Sequence, residues 1–202
     1  MIYVVGIGPG NEMYLTKAAE AIIHEADVVI GAKRNLEAIQ VLKGQKIELS
    51  AHLKELLDQI ELNRDKQIAI LASGDPLIYG IGKYLAQHVE KDRLTIVPGI
   101  SAIQYMFSRI QQDMNDLYIT SSHGKTPDFD KILSHSKVAM VTDTLLGPQA
   151  IAEEILKRGL SKVMFVGENL SYPDERITIW KPEQLRNEEK FDMNVVVILD
   201  EK

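Results

Sequence analysis

The chain has 202 residues, 45% hydrophobic and 26% charged, with a net charge of -6 and no cysteine. That length suits one large or two small globular domains with a proper core. The lack of cysteine excludes disulfides, thiolate metal sites and thiol nucleophiles, and the acidic balance argues against a nucleic-acid binder, which carries a basic face.

No apolar run approaches the ~20 residues of a membrane helix. No basic and apolar leader precedes the first strand, so the expected location is cytoplasmic with no membrane partner. Ile2–Val5 is an apolar run that breaks into Gly6, Gly8, Pro9 and Gly10, the pattern of a buried strand ending in a tight loop. Thr16–Ala26 predicts a helix with Thr16 as its N-cap. Val28–Ile30 predicts a second strand closing on Gly31, and Lys33–Val41 a second helix. A strand at Lys46–Leu49 and a helix at Leu53–Leu62 follow. The strand Ile68–Ala72 runs into Ser73-Gly74-Asp75-Pro76, and Leu77–Val89 predicts a helix. The strand Leu94–Val97 runs into Pro98-Gly99-Ile100-Ser101, ahead of a helix over Ser101–Ile110. Strands alternating with helices at this spacing predict βαβ units and a largely parallel sheet.

The polar connection 111–116 marks the expected domain boundary, giving domains 1–112 and 113–202. Beyond it, strands are expected at Leu117–Thr120, Val138–Val141 and Val163–Val166, with a helix Pro148–Arg158 stopping at Gly159. Arg176–Trp180 and Val195–Leu199 have no long helix between them and are expected as antiparallel neighbours in a mixed sheet. The fold class is therefore α/β in two domains, with a parallel sheet first and a mixed sheet second.

The three glycine-bearing loops each end an apolar strand, and together they would line one edge of a parallel sheet, where open α/β sheets bind ligands. Glycine lets backbone approach a ligand closely, and Pro9 stiffens its loop and removes a donor. Gly6-x-Gly8-Pro9-Gly10 departs from the dinucleotide fingerprint: its third glycine comes one position early, and no helix follows until about Thr16. A nicotinamide-dependent oxidoreductase is the rival that this unit leaves open. The P-loop pattern is absent.

Val5-Gly6-Ile7-Gly8-Pro9-Gly10, Ser73-Gly74-Asp75-Pro76 with Tyr79-Gly80, and Pro98-Gly99-Ile100-Ser101, in this order and spacing, resemble the tetrapyrrole (corrin/porphyrin) methylase family over essentially the whole chain. Three stretches narrow the resemblance: 98–105, 122–125 and 167–177 look like the cobalamin-pathway branch that methylates C5 of precorrin-7 or cobalt-precorrin-7. Ala102 stands where that branch often has a second serine, and Lys125 where an arginine is usual. The resemblance implies a C-methyltransferase that uses S-adenosyl-L-methionine, releases S-adenosyl-L-homocysteine and holds the cofactor in a cleft between two α/β domains. It also implies a homodimer, with a separate protein supplying the C15 methylation and decarboxylation. The remaining alternatives are another family branch, acting on uroporphyrinogen or another precorrin carbon, and a non-catalytic tetrapyrrole-binding partner.

On that resemblance, the expected cofactor residues are Gly8, Pro9, Gly10, Gly74, Asp75, Ile78, Ser101, Ala102, Thr142 and Leu145. Asp75 and Ser101 have a plain alternative as helix N-caps, and Thr142–Leu145 as an ordinary strand-to-helix loop. A polycarboxylate substrate calls for a cationic rim, for which Arg34, Arg109, His123, Lys125 and Arg176 are the candidates, with Lys33 beside them. Each alone is more often a solvated surface residue, and His123, given room by Ser121, Ser122 and Gly124, is the favoured substrate contact. Glu168-Asn169 and Asp174-Glu175 either shape the site or cap a turn. No general base is assigned, since the nucleophile would be an electron-rich ring carbon. The five histidines show no metal-ligand spacing.

Overall fold

Strands that are apolar at every position have no solvent face, and three of the first five strands are of that kind. In the computed structural model, which describes residues 1–39, 43–49, 53–122, 127–143, 146–187 and 190–201, the first five strands are parallel. They are Ile2–Gly6 (β1), Val28–Gly31 (β2), Gln45–Glu48 (β3), Ile68–Ala72 (β4) and Leu94–Val97 (β5), ordered β3-β2-β4-β1-β5. The helices Lys17–Glu25 (α1), Lys33–Glu37 (α2), Leu53–Leu62 (α3) and Gly82–His88 (α4) connect them. Successive strand residues point to opposite faces. Val4, Ile30, Ile68 and Ile70 therefore pack with Leu56 and Ile60 of α3 and Leu85 of α4. Val5, Val29, Ala69 and Leu71 pack with Ala19 and Ile23 of α1 and Leu36 of α2.

The second half comprises Ala102–Arg109 (α5), Tyr118–Ser121 (β6), Phe129–Leu133 (α6), Lys137–Val141 (β7), Pro148–Lys157 (α7), Lys162–Glu168 (β8), Arg176–Trp180 (β9) and Asn194–Asp200 (β10). Its sheet runs β6-β7-β10-β8-β9, with β6 and β7 parallel and the other pairs antiparallel. Ile132 and Leu133 of α6, Ile151 and Ile155 of α7, and Leu185 cover one face, against Met140, Met164, Val166, Val196 and Ile198. Gly167 alternates with those inward residues, and a Cβ there would sit 2.5 Å from Met106 Sδ, so α5 covers the opposite face. Among the described residues no helix is long and apolar enough to cross a membrane.

The chain divides into two compact units, Met1–Ser101 and Ala102–Lys202. The division falls ahead of the polar connection 111–116, because α5 packs on β7 and β10 and belongs with the second sheet.

Thr16 caps α1 as expected, its side chain accepting from Ala19 N at 3.2 Å. The helix expected over Leu77–Val89 begins only at Gly82. Residues 77–81 form turns instead, wound tightly round Pro76: Gly82 N donates to Pro76 O at 2.8 Å, and Tyr79 takes a positive φ of 53°. The helix expected over Lys33–Val41 stops at Glu37, with residues 40–42 outside those described. β9 and β10 are not neighbours: both pair with β8, which lies between them. The short helix α6, Phe129–Leu133, carried too few residues to show a period in the sequence.

The carboxyl ends of β4, β1 and β5 lie side by side, and three glycines let their loops meet. A Cβ on Gly6 would stand 2.5 Å from Gly99 N and 2.8 Å from Gly74 O, and one on Gly99 would overlap the Gly74 carbonyl. No rotamer relieves a clash between a Cβ and backbone.

In the second unit, a carboxylate ties α5 to the loop after β8. Burial raises the Glu175 carboxyl, but hydrogen bonds from Ser171 N and the Tyr105 hydroxyl, together with the Arg109 guanidinium, outweigh it and hold Glu175 below the usual range. Arg109 Nε lies 2.9 Å from Glu175 Oε1, and Ser171 N donates to Oε2 at 2.7 Å.

Two outcomes follow from these contacts. Gly99→Ala should lower stability by about 1–3 kcal/mol, read from the midpoint of urea unfolding. A carboxylate depressed in the folded state contributes stability above its unfolded pKa and loses it as pH falls through the folded value. The stability gap between the parent chain and Glu175→Gln should therefore be widest at neutral pH. It should shrink as pH drops below the ordinary glutamate value of 4.5; a gap constant from pH 7 to pH 3 would contradict the tie.

Candidate active site at the carboxyl edge of the first sheet

The edge is built chiefly from backbone. Gly8 and Gly74 form an isolated antiparallel bridge, Gly8 N donating to Gly74 O at 3.3 Å and Gly74 N to Gly8 O at 2.7 Å. Both glycines hold positive φ, 81° and 64°, a conformation that side chains disfavour. The bridge fastens the β1 loop to the β4 loop, leaving Pro9 buried and Gly10 half-buried beyond it.

Asp75 fastens the β4 loop on its other side. Its Oδ1 accepts from Leu77 N at 2.8 Å, closing an Asx-type turn, and its Oδ2 accepts from Gly99 N at 3.2 Å in the β5 loop. It is not the N-cap of α4, which starts seven residues later at Gly82. Ile78 is half-buried in the turn that follows, and Ser101 is buried where the β5 loop ends. Gly8, Pro9, Gly10, Gly74, Asp75, Ile78 and Ser101 thus all lie on three linked loops of one unit. Ala102 opens α5 in the other unit.

A cation reaches the same edge from α2, which follows β2 directly. Arg34 Nη2 donates to Ser73 Oγ at 3.2 Å, at the start of the β4 loop. Lys33 and Arg34 are both exposed.

The second unit gathers its candidates on one edge of its own sheet, where β6, β7 and β8 end and β9 and β10 begin. Thr142 is buried, its hydroxyl within 2.7 Å of Asn194 Oδ1 and 3.1 Å of Asn194 O, so it ties β7 to β10. Asp143 N donates to Ser122 Oγ at 3.1 Å, and Leu146 N to Asp143 Oδ1 at 2.9 Å. Arg176 meets Glu168 with two prongs, Nε to Oε2 at 2.8 Å and Nη2 to Oε1 at 3.1 Å. Glu168 is only 2% exposed and also accepts from Asp192 N at 3.0 Å. Asn169 Nδ2 spans Asp174 Oδ2 at 2.8 Å and Asp192 Oδ2 at 3.2 Å. The 168–175 stretch is therefore a self-bonded turn, two of whose residues, Asn169 and Ser171, take positive φ. His123, Lys125 and Leu145 lie outside the described residues.

Sequence reasoning passed over Gly6 and Gly99 as partners and Asn35 altogether, and it read Ser73 only as part of the β4 loop motif. The first pair was readable in principle, since each glycine follows an apolar strand and those strands are parallel neighbours. Asn35 has no signature, since a polar residue early in a helix is ordinary, and nothing in the sequence marks the bond that Ser73 makes to it.

The family described as Tetrapyrrole (Corrin/Porphyrin) Methylases matches residues 1–186. The chain is 45% identical over 203 residues to the cobalt-precorrin-7 C(5)-methyltransferase of Salmonella typhimurium, covering 100% of each chain. It is 34% identical over 198 residues to the probable cobalt-precorrin-7 C(5)-methyltransferase of Methanocaldococcus jannaschii, covering 93% of this chain and 92% of that one. Its fold is similar to that of the uroporphyrin-III C-methyl transferase of Thermus thermophilus complexed with S-adenyl homocysteine. There the TM-score is 0.81 at 20% identity, covering 98% of this chain and 96% of that one. With the family matched over most of its length, and the three glycine loops fastened to one another at a single sheet edge, the chain belongs to the tetrapyrrole methylases.

Proposed function

We propose that this chain transfers a methyl group from S-adenosylmethionine to C5 of cobalt-precorrin-7, or of precorrin-7, in cobalamin synthesis. The observation that carries this is the 45% identity, end to end, with a protein named for that reaction. The residues at the first sheet's carboxyl edge suit such a cofactor chemically. They offer a half-buried carboxylate at Asp75, half-buried apolar side chains at Ile78 and Ile100, and backbone at Pro9–Gly10 and Gly99–Ser101 for a nucleoside's polar groups. When bound, S-adenosylmethionine supplies an electrophilic methyl group on a positively charged sulfur.

The chain's own task is then orientation, which contributes roughly 7–11 kcal/mol in well-aligned reactions. Gly8, Gly10 and Gly74 let backbone approach closely, Pro9 stiffens the approach, and Asp75 sets negative charge toward the cofactor's cationic groups. Ala102, Thr142 and Leu145 remain proposals for cofactor contact from the second unit. The substrate's carboxylates require cations, and Arg34 is the favoured one because it already reaches the β4 loop. Arg109 and Arg176 each hold a glutamate, so either must share its charge with a substrate. His123 and Lys125 complete the proposed set. The active species is proposed to be a cytoplasmic homodimer, with C15 chemistry on a separate protein.

Incubation with labelled S-adenosylmethionine and cobalt-precorrin-7 should give a singly methylated product, with the new methyl located at C5 by NMR. A product methylated at another ring carbon would move the chain to a different branch. Asp75→Ala should weaken S-adenosylhomocysteine binding about tenfold, as expected for loss of a charged hydrogen-bond partner, measured by calorimetry. An unchanged dissociation constant in a folded variant would leave Asp75 a turn-forming residue only.

A further inference from the structure

One polar chain in the first unit runs from the sheet interior to its surface. The β2–β4 ladder ends at the pair Ile30 and Ile70. One residue beyond, the Leu71 carbonyl accepts from Asn35 Nδ2 at 3.4 Å. Asn35 is 6% exposed, in the first turn of α2. Its Oδ1 accepts from the Ser73 hydroxyl at 3.0 Å, and Ser73 Oγ accepts from Arg34 Nη2 at 3.2 Å.

Direction is fixed at every link. The Asn35 amide group donates inward to a backbone carbonyl, which turns its oxygen outward. That oxygen orients the Ser73 proton toward itself, which turns the hydroxyl lone pairs toward the guanidinium. A serine hydroxyl has one proton, so a Ser73 committed to Asn35 can only accept from Arg34. Each link of such a network polarises the next.

The arrangement orders a long exposed side chain, which costs rotamer freedom. Ser73 is moreover the residue before Gly74-Asp75, so the relay delivers the guanidinium to the loop that is fastened to both of its neighbours. Arginine's fork is suited to two-pronged capture of a carboxylate.

We infer that Asn35 and Ser73 are positioning residues that aim Arg34 at a carboxylate of the ligand bound on this edge. The inference rests on the methyltransferase function proposed above, which supplies two carboxylate sources: the rim of the tetrapyrrole and the amino-acid end of the cofactor. Asn35 and Ser73 touch neither. They act through Arg34.

The test is a double-mutant cycle on Arg34→Ala and Ser73→Ala, with Ser73→Thr as the conservative variant. Three quantities are read: KM and kcat for cobalt-precorrin-7, the dissociation constant of cobalt-precorrin-7 without methyl donor, and that of S-adenosylhomocysteine. Ser73→Ala should weaken the affected ligand about three- to tenfold, the range for one neutral hydrogen bond, with kcat within twofold. Ser73→Thr should restore it, and Ser73→Ala should add nothing in the Arg34→Ala background. A shift confined to the tetrapyrrole assigns the carboxylate to the substrate, and one confined to S-adenosylhomocysteine assigns it to the cofactor; either supports the relay. Effects that add in the double variant, or unshifted constants for both ligands, overturn it. A parent chain that binds both ligands but transfers no methyl would overturn the proposed reaction alone, since the binding cycle needs no turnover. Exposed Ser73 keeps the variants folded, and matching circular dichroism verifies this.

Discussion

Steric exclusion at one crossing governs the first unit. The loops after β4, β1 and β5 approach so closely at Gly6, Gly74 and Gly99 that a single methyl group at Gly99 would occupy the place of a carbonyl oxygen. Everything proposed for the edge depends on that approach. It lets Gly8 and Gly74 exchange two hydrogen bonds, and it brings Gly99 N within reach of Asp75. The carboxylate of Asp75 is held by two backbone donors from different loops, so its direction is set before any ligand arrives. Preorganisation of this kind places charge without a reorganisation cost at the moment of reaction.

The second unit solves a different problem, holding cations near an acidic chain's surface. Arg109 and Arg176 are each fixed by a glutamate, and those glutamates are fixed in turn by backbone N–H groups from Ser171 and Asp192. Glu168 is almost wholly buried, so truncating Arg176 would leave a charge in low dielectric with only a backbone donor, a change of the strongly destabilising sort. A paired arginine of this type retains donor capacity while losing net charge. Arg34, held through a serine and an asparagine, is directed by neutral groups in the contacts described.

Much of this was legible in the sequence. β1, β4 and β5 fell where apolar runs break into glycine; β1 and β4, buried on both faces, carry no competing polar signal, and β5 keeps the pattern despite one exposed threonine. Thr16 marked the start of α1 because a capping threonine ahead of alanine and glutamate has one common use. The failures were equally physical. Leu77–Val89 reads as one helix by its apolar spacing, yet Gly80 and Gly82 weaken its first turns, and a Cβ on either would clash with the Pro76 carbonyl, about which residues 77–81 wind instead. β9 and β10 are close in sequence, but closeness does not specify pairing when a third strand, β8, can lie between them. Among the site residues, Asp75 was visible as a polar residue in a glycine loop, whereas its bond to Gly99 depends on strand order. Of the readings open for this stretch, Glu175 accepts a turn bond from Ser171 N, while Glu168 pairs across the strands with Arg176 and accepts from Asp192 N.

Strand order in the second sheet bears on how the protein is made. β10, the last strand in chain order, is the middle strand, flanked by β7 and β8. Until residues 194–200 emerge from the ribosome, the parallel pair β6–β7 and the antiparallel pair β8–β9 are two separate two-stranded fragments with unsatisfied inner edges. The first unit has all five of its strands by residue 97 and is free to fold during synthesis. The newborn chain therefore carries a finished N-terminal half and an open, adhesive C-terminal half, and during that interval it is most in need of a chaperone.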